Sequence, residues 1–467
     1  MSENTKTQRT APQGEKKLLN LFDIFCLGLS GAIGSGIFVL MGLGIGATGR
    51  SIVLVVAVGV VFMLGAYWFN VLLGSMFVFR GGDYSQKAIA FNPLFTGVSG
   101  YVTFFNGFGL AMYGVAMVDY AAMVFPGIVP YTKIIAITLI TLFFAATIRG
   151  SKFVAFLTSL MTVVLISAIA LFVIFGFPQV KSGFFTGGGF FRGGFSGVIA
   201  AIALMGWACQ GTTMAPTSMY AVTKNPKRTI PGGILLICIA LAVIYALMAY
   251  VAAGVLPVEE VVGKNLGTVA FEIFPYPVYV MFILGGGVFA IATSMMGGIA
   301  MVRYPIQKVA EDGWLPKVFT KTTKGGYPYA IFIMYYLLAI FPVLLGFSLD
   351  VIVSLVMIPC MIMNVYCNLA CIGIIKKFPE QWKKSMLHMP NVIMYGICVI
   401  SAICAAVVCY NLFVDLSGIE MMIMIVLLVI CFGLSFICLK TGTVKKEDLE
   451  QNKRQILEDA FAAEQEM

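Results

Sequence analysis

The sequence predicts an all-α integral membrane protein of about twelve transmembrane helices, and three observations carry that expectation. Of 467 residues, 60% are apolar and only 11% are charged, less than half the ~25% of an ordinary soluble domain. Apolar runs of the ~20 residues that cross a bilayer recur along the whole chain. With the N-terminus placed in the cytoplasm, inner segments collect 25 of the 30 Lys and Arg residues and outer loops 5, the asymmetry that fixes orientation.

The runs fall near 21–46, 51–79, 88–125, 132–148, 152–177, 194–221, 231–256, 276–303, 328–347, 349–375, 390–414 and 418–440, numbered here as spans 1–12. Backbone groups in lipid must pair within their own segment, so runs this long are read as helices. The 88–125 run exceeds one upright helix and is expected to tilt or protrude. Residues 1–20 form a polar, basic cytosolic tail, and the apolar run after it is too long for a cleavable signal. Residues 441–467 carry mixed charge, with Leu449, Ile456, Leu457 and Phe461 at helical spacing, and read as a short cytosolic helix or a disordered tail. Both tails are placed in the cytoplasm, which makes the cell membrane the expected location.

Composition and patterning exclude several classes. The net charge of +9 comes from the inner loops, so it signals the lipid bilayer and not nucleic acid. The eleven Cys lie mostly inside apolar runs, with no CxxC pair, and read as apolar filler. Cys367 and Cys371 are one turn apart but have no His or carboxylate beside them to complete a metal site. The single His388 sits in a basic inner loop as a solvated residue. No cluster of His, Asp, Glu or Cys occurs at membrane depth, so an enzyme is not expected, and no charged rings or filter loops suggest a channel. Asp119, near the outer end of span 3, is the main ionisable residue inside a span, and an intramembrane acid is a functional candidate.

Two spans break the lipid-facing pattern. Span 1 reads Gly28-Leu29-Ser30-Gly31-Ala32-Ile33-Gly34-Ser35-Gly36-Ile37-Phe38, and span 6 reads Met205-Gly206-Trp207-Ala208-Cys209-Gln210-Gly211-Thr212-Thr213. Glycines at mid-membrane depth weaken a helix. A pair of broken helices in corresponding positions of two halves points to a transporter binding site. Unwinding frees amides and a positive helix end for an anion, and carbonyls for a cation. The competing explanation is close helix packing through small residues, such as Gly28 with Ala32 and Gly42 with Gly46. The breaks are expected near Ile33–Gly36 and Met205–Gln210.

The run Ser30–Phe38 resembles the first-helix signature of the amino acid–polyamine–organocation (APC) permeases. Gly81-Gly82-Asp83-Tyr84 resembles the turn after their second helix. Gly206-Trp207 with Lys224-Asn225-Pro226-Lys227-Arg228-Thr229-Ile230-Pro231 is similar to their sixth helix and its exit. Arg303 to Pro316, with Tyr327-Pro328, resembles the inner loop after their eighth. The resemblance covers about residues 20–330. It implies a five-plus-five inverted repeat, the leucine-transporter-like fold, with spans 1–5 (21–177) related to spans 6–10 (194–375), spans 11–12 (390–440) peripheral, and helices 1 and 6 broken. It also implies a substrate site between them. Amides of Gly34, Ser35 and Gly36 would hold a carboxylate, and carbonyls of Ile33, Ile202 and Met205 an ammonium. Gly206, Trp207 and Ala208 would complete the span 6 wall, with the Ile202 side chain lining or gating the pocket.

Several positions depart from the family pattern. Relatives often carry Glu where Leu72 stands, an acid where Val222 stands, a Lys in the stretch Thr162–Ile166, and an aromatic gate at Ile202. The assignable wall residues Ile33, Ile202, Met205 and Ala208 are uncharged. The expected cargo is therefore a neutral, zwitterionic amino acid with a mostly apolar side chain, moved by secondary active transport. The alternatives are an organic cation or polyamine carrier or exchanger, and a membrane sensor that transports nothing. No cofactor is expected apart from sodium as a coupling ion. The resemblance implies a sodium shell from the hydroxyls of Thr293 and Ser294 and the carbonyls of Ser30 and Ile33. The competing reading is that both hydroxyls bond back to their own helix. Symport, antiport and uniport remain open, as does oligomeric state.

Overall fold

The computed structural model describes residues 19–465, apart from 80, 150, 187–188, 221–222 and 324–327. The basic tail residues Lys6, Arg9, Lys16 and Lys17, together with Arg80, Val222, Lys324 and Tyr327, lie outside the described residues, as do the side chains of Ser35 and Trp207. Among the described residues every regular element is helical, and the only strand-like pairing is one isolated parallel bridge between Leu19 and Thr223.

Each of the twelve apolar runs is helical over most of its length, but they do not make twelve equal helices. Nine helical stretches are long and apolar enough to cross a bilayer, or ten with a bent pair in span 6, among the described residues. Two shorter apolar helices, Leu21–Ala32 and Tyr329–Leu345, supply the first half of span 1 and span 9. Burial sorts the rest. Spans 8 and 10 are each 67% buried and span 3 is 61%, whereas span 4 is 17% and span 12 is 22%. The first group forms the centre, and the second presents apolar side chains such as Ile134, Leu142, Val429 and Phe436 outward, as lipid-facing helices do.

The long 88–125 run is not one tilted helix. A separate helix, Gly82–Ala90, ends at Phe91, and span 3 begins at Pro93. Asn92 caps the new helix, its side chain accepting from the Phe95 amide at 3.0 Å, and Pro93 takes the first helical position, where its missing N–H is no loss. Span 2 is also interrupted. Its helices Ile52–Ala66 and Trp68–Met76 meet at Tyr67. The carboxamide of Asn368 on span 10 clamps this break, accepting from the Phe69 amide at 2.9 Å and donating to the Ala66 carbonyl at 3.1 Å.

The C-terminal segment forms a helix, Lys446–Gln465, docked beside Gly82–Ala90. Asn452 donates to Asp312 at 2.9 Å and Lys453 to the Phe91 carbonyl at 2.6 Å. All eleven cysteines are free, and each is buried or half-buried. His388 is exposed, its ring edge-on to Trp382.

Helix Gly82–Ala90 carries a buried ion pair, Lys87 Nζ to Asp83 Oδ2 at 2.6 Å, with Lys87 2% and Asp83 8% exposed. Burial pulls the Lys87 ammonium toward neutrality, but the adjacent carboxylate outweighs it and leaves the pKa above its ordinary value. Removing one partner strands a charge in the interior. Lys87→Met or Asp83→Asn alone is expected to lower stability by about 3–5 kcal/mol, while the double substitution loses less. Thermal unfolding of detergent-solubilised protein measures this, and a double mutant as unstable as the sum of the singles would refute it.

Candidate substrate site

Span 1 leaves the helix at Ile33, whose ψ of 97° is extended, and resumes at Ser35 as the helix Ser35–Thr48. Gly34 stands at the new N-terminus with φ −160° and ψ −140° and gives no side-chain cap. A 14-residue helix thus starts inside the protein with its first amides uncapped and its positive dipole end facing inward. Any residue adopts that φ, so Gly34 is required for space: a β-carbon there would collide with Ser294 Oγ.

The break strands carbonyls as well as amides, and Tyr245 on span 7 meets them. Its hydroxyl donates to the Ala32 carbonyl at 2.8 Å and lies 3.0 Å from that of Ala208, joining the break in span 1 to span 6. Span 6 responds differently from span 1. Its helix runs continuously over Gly194–Thr217 but bends by 41° between Gly194–Gly206 and Ala208–Thr217. The two spans cross in close contact. A β-carbon at Gly36 would strike the Ala208 backbone, and one at Gly211 would strike the Gly31 carbonyl. The glycines therefore serve packing as well as the break.

A cavity of about 120 Å³ opens at this crossing. Gly31, Ala32 and Gly36 of span 1 form one side, and Gln210, Gly211 and Met214 of span 6 another. Span 3 contributes Asn106, Leu110 and Tyr113, and span 8 contributes Ser294, Gly298 and Met301. Among the described residues, none that lines the cavity carries a formal charge. Ser294 is 3% exposed, and its hydroxyl has no hydrogen-bond partner. Asn106 sits in a 3₁₀ turn, Asn106–Phe108, inside span 3, which turns its amide toward the cavity and toward Cys360 Sγ at 3.6 Å.

Of the residues singled out in the sequence, Gly36 and Ser294 line this cavity. Ile33 is 1% exposed at the break. Ile202, Met205 and Ala208 are buried at 3%, 2% and 1% and are not among the lining residues. Ile202 faces Gly59, Met205 faces Gly44, and Gly206 meets Met63, so this face of span 6 packs on spans 1 and 2. The cavity takes the face one to two turns further on, at Gln210 and Met214. Ser30 donates to the Cys26 carbonyl at 2.7 Å, and Thr293 donates to the Ala290 carbonyl at 2.8 Å. Asp119 is exposed, away from the cavity. Asn106 and Tyr113 are site residues that the motifs did not single out, and Gln210, the far end of the expected break in span 6, was not assigned to the substrate. A polar residue inside an apolar run was their one signal.

A multi-pass helical protein with a neutral cavity at a broken helix has the form of a membrane transport protein. The amino acid permease family model matches residues 19–437, and the chain belongs to that family. It is 27% identical over 333 residues to the methylthioribose transporter of Bacillus subtilis, covering 65% of this chain and 69% of that one. It is 28% identical over 286 residues to the branched-chain amino acid permease BcaP of the same organism, covering 55% and 59%. It is 24% identical over 188 residues to the lysine-specific permease LysP of Lactococcus lactis, covering 35% of this chain and 37% of that relative.

Gly36→Ala is expected to cost about 1–3 kcal/mol through overpacking and to abolish transport, because the Ala208 backbone cannot withdraw. Gly373→Ala, with open space at the β-carbon, should be neutral. Thermal unfolding and uptake measured on both variants check this, and a Gly36→Ala protein with normal stability and uptake would contradict it.

Proposed function

We propose that this protein carries a neutral, zwitterionic α-amino acid across the cytoplasmic membrane by alternating access around the cavity between spans 1, 3, 6 and 8. The observation that carries this reading is the uncapped N-terminus of helix Ser35–Thr48 facing a cavity with no charged lining. The amides of Gly34, Ser35 and Gly36 suit a carboxylate, and the carbonyls at the break suit an ammonium. A cationic side chain would find no carboxylate there, and burying it unpaired is costly. The reading places ten of twelve spans, 1–5 and 6–10, in two inverted five-helix repeats, with spans 11–12 peripheral and both ends in the cytoplasm. The break in span 1 and the bend in span 6, five spans apart, support that repeat.

The test is uptake of labelled amino acids into proteoliposomes. Neutral amino acids should be accumulated and should compete with one another, while arginine and putrescine should not compete. Strong inhibition by arginine or a diamine alone would favour an organic cation or polyamine carrier. Binding without uptake would favour a sensor.

Sodium is proposed as the coupling ion, held by the carbonyls of Ser30 and Ile33 and the hydroxyls of Thr293 and Ser294. The Ser294 hydroxyl is pressed against Gly34 without a partner. Thr293 spends its proton on Ala290, which leaves its oxygen lone pairs for a cation. Replacing sodium by choline at fixed pH and zero voltage is expected to stop uptake. Undiminished uptake in choline, together with an unaffected Thr293→Ala variant, would exclude the site.

A further inference from the structure

Beside the substrate cavity, Gln210 meets two buried polar side chains that lack partners, Tyr67 and Asn364. Gln210, one of the lining residues, is 8% exposed. The Tyr67 hydroxyl sits within reach of the Gln210 and Asn364 carboxamides but makes no well-formed hydrogen bond to either. Tyr67 is 2% exposed and Asn364 0%, and neither end of the Asn364 amide is paired. The interruption of span 2 at Tyr67, held open by Asn368, aims this phenol at span 6. Span 3 adds a second neutral amide to the cavity lining, Asn106.

We infer that the site selects amino acids with an uncharged, hydrogen-bonding side chain, such as threonine, serine, asparagine and glutamine. The Gln210 carboxamide reads that side chain, and Tyr67 and Asn364 position it. This inference rests on the amino acid reading proposed above and narrows it, away from the apolar side chains that the sequence motifs suggest.

The physical argument is an asymmetry of recognition. An apolar pocket discriminates weakly against an added hydroxyl. A pocket built around buried donors and acceptors strongly rejects the analogue that leaves them unpaired. The Gln210–Tyr67–Asn364 layer is of the second kind: a row of uncharged groups that can both donate and accept, in which the Tyr67 hydroxyl and the Asn364 amide have unmet hydrogen-bonding capacity. A side chain that fills one position lets the row settle into a single hydrogen-bonded order. A methyl group in the same place leaves it open. The row itself is uncharged, and Asp83, the carboxylate that acts on Tyr67, is already paired with Lys87, so a charged side chain finds no partner in it.

The isosteric pairs threonine and valine, and asparagine and leucine, test this directly. The measurement is kcat/KM for each labelled amino acid in proteoliposomes of the full chain. Threonine is expected to exceed valine, and asparagine leucine, by more than about tenfold. Gln210→Met, which keeps length and volume, should bring both ratios close to one. Tyr67→Phe should lower the ratios without abolishing uptake, because it loosens the carboxamide and leaves the carboxylate-binding amides intact. A merely structural role would scale both members of each pair equally and leave the ratios unchanged. Valine carried as well as threonine by the unmodified protein would overturn the inference while leaving amino acid transport standing. Ratios preserved in Gln210→Met would overturn the assignment to Gln210. Failure of every amino acid to be taken up would overturn the transport reading itself.

Discussion

A helix that breaks inside a bilayer strands amides and carbonyls where no water can pair them. The hydroxyl of Tyr245, bonded to the Ala32 carbonyl and close to that of Ala208, is the contact on which the candidate site depends. It meets the carbonyl side of the break from within the protein and ties span 1 to span 6. The amide side, at Gly34–Gly36, is left to whatever enters the cavity. The break is thus satisfied at the Ala32 carbonyl and has no side-chain cap at its amides, which suits an anionic group there, while the carbonyls of Ser30 and Ile33 are left for the proposed cation.

The same device recurs in span 2. There the interruption at Tyr67 is clamped on both sides by one carboxamide, Asn368. A freed amide and a freed carbonyl are both met from within the protein, and the break redirects the Tyr67 side chain. Glycine does the complementary work. Gly34 makes room for Ser294, and Gly36 and Gly211 let spans 1 and 6 touch backbone to backbone. That contact holds the uncapped helix end against the cavity wall. Function and packing are not rival explanations of the Gly-rich motif here, because the site exists only where the backbones approach this closely.

The membrane class was legible from composition, and the break in span 1 from its glycines. The bend of span 6 was legible as to place but not as to kind, since the helix runs on through Trp207 without unwinding. The facing of span 6 was not legible at all. Ile202 and Gln210 lie eight residues apart in one polar, Gly-interrupted run, and only the packing against Met63, Gly44 and Gly59 decides which of them meets the cavity. Asn92-Pro93 was a readable stop signal in the long third run, and the run's length hid it. Asp83 and Lys87 stand at helical spacing, but their helix packs on span 10 and on the helix Arg303–Glu311, both far away in sequence. Asn368 is 299 residues from the amide it pairs, and no local pattern announces such a partner.

The central claim is that the uncapped amides of helix Ser35–Thr48 receive the carboxylate of the substrate. The most direct measurement is a cryo-electron microscopy map of the protein saturated with a transported neutral amino acid. The account predicts density between spans 1, 3, 6 and 8, with the carboxylate at hydrogen-bond distance, about 3 Å, from the Ser35 and Gly36 amides, and with span 1 still broken at Ile33–Gly34. A carboxylate bound elsewhere, or a first span that closes into a continuous helix around an empty cavity, would contradict it.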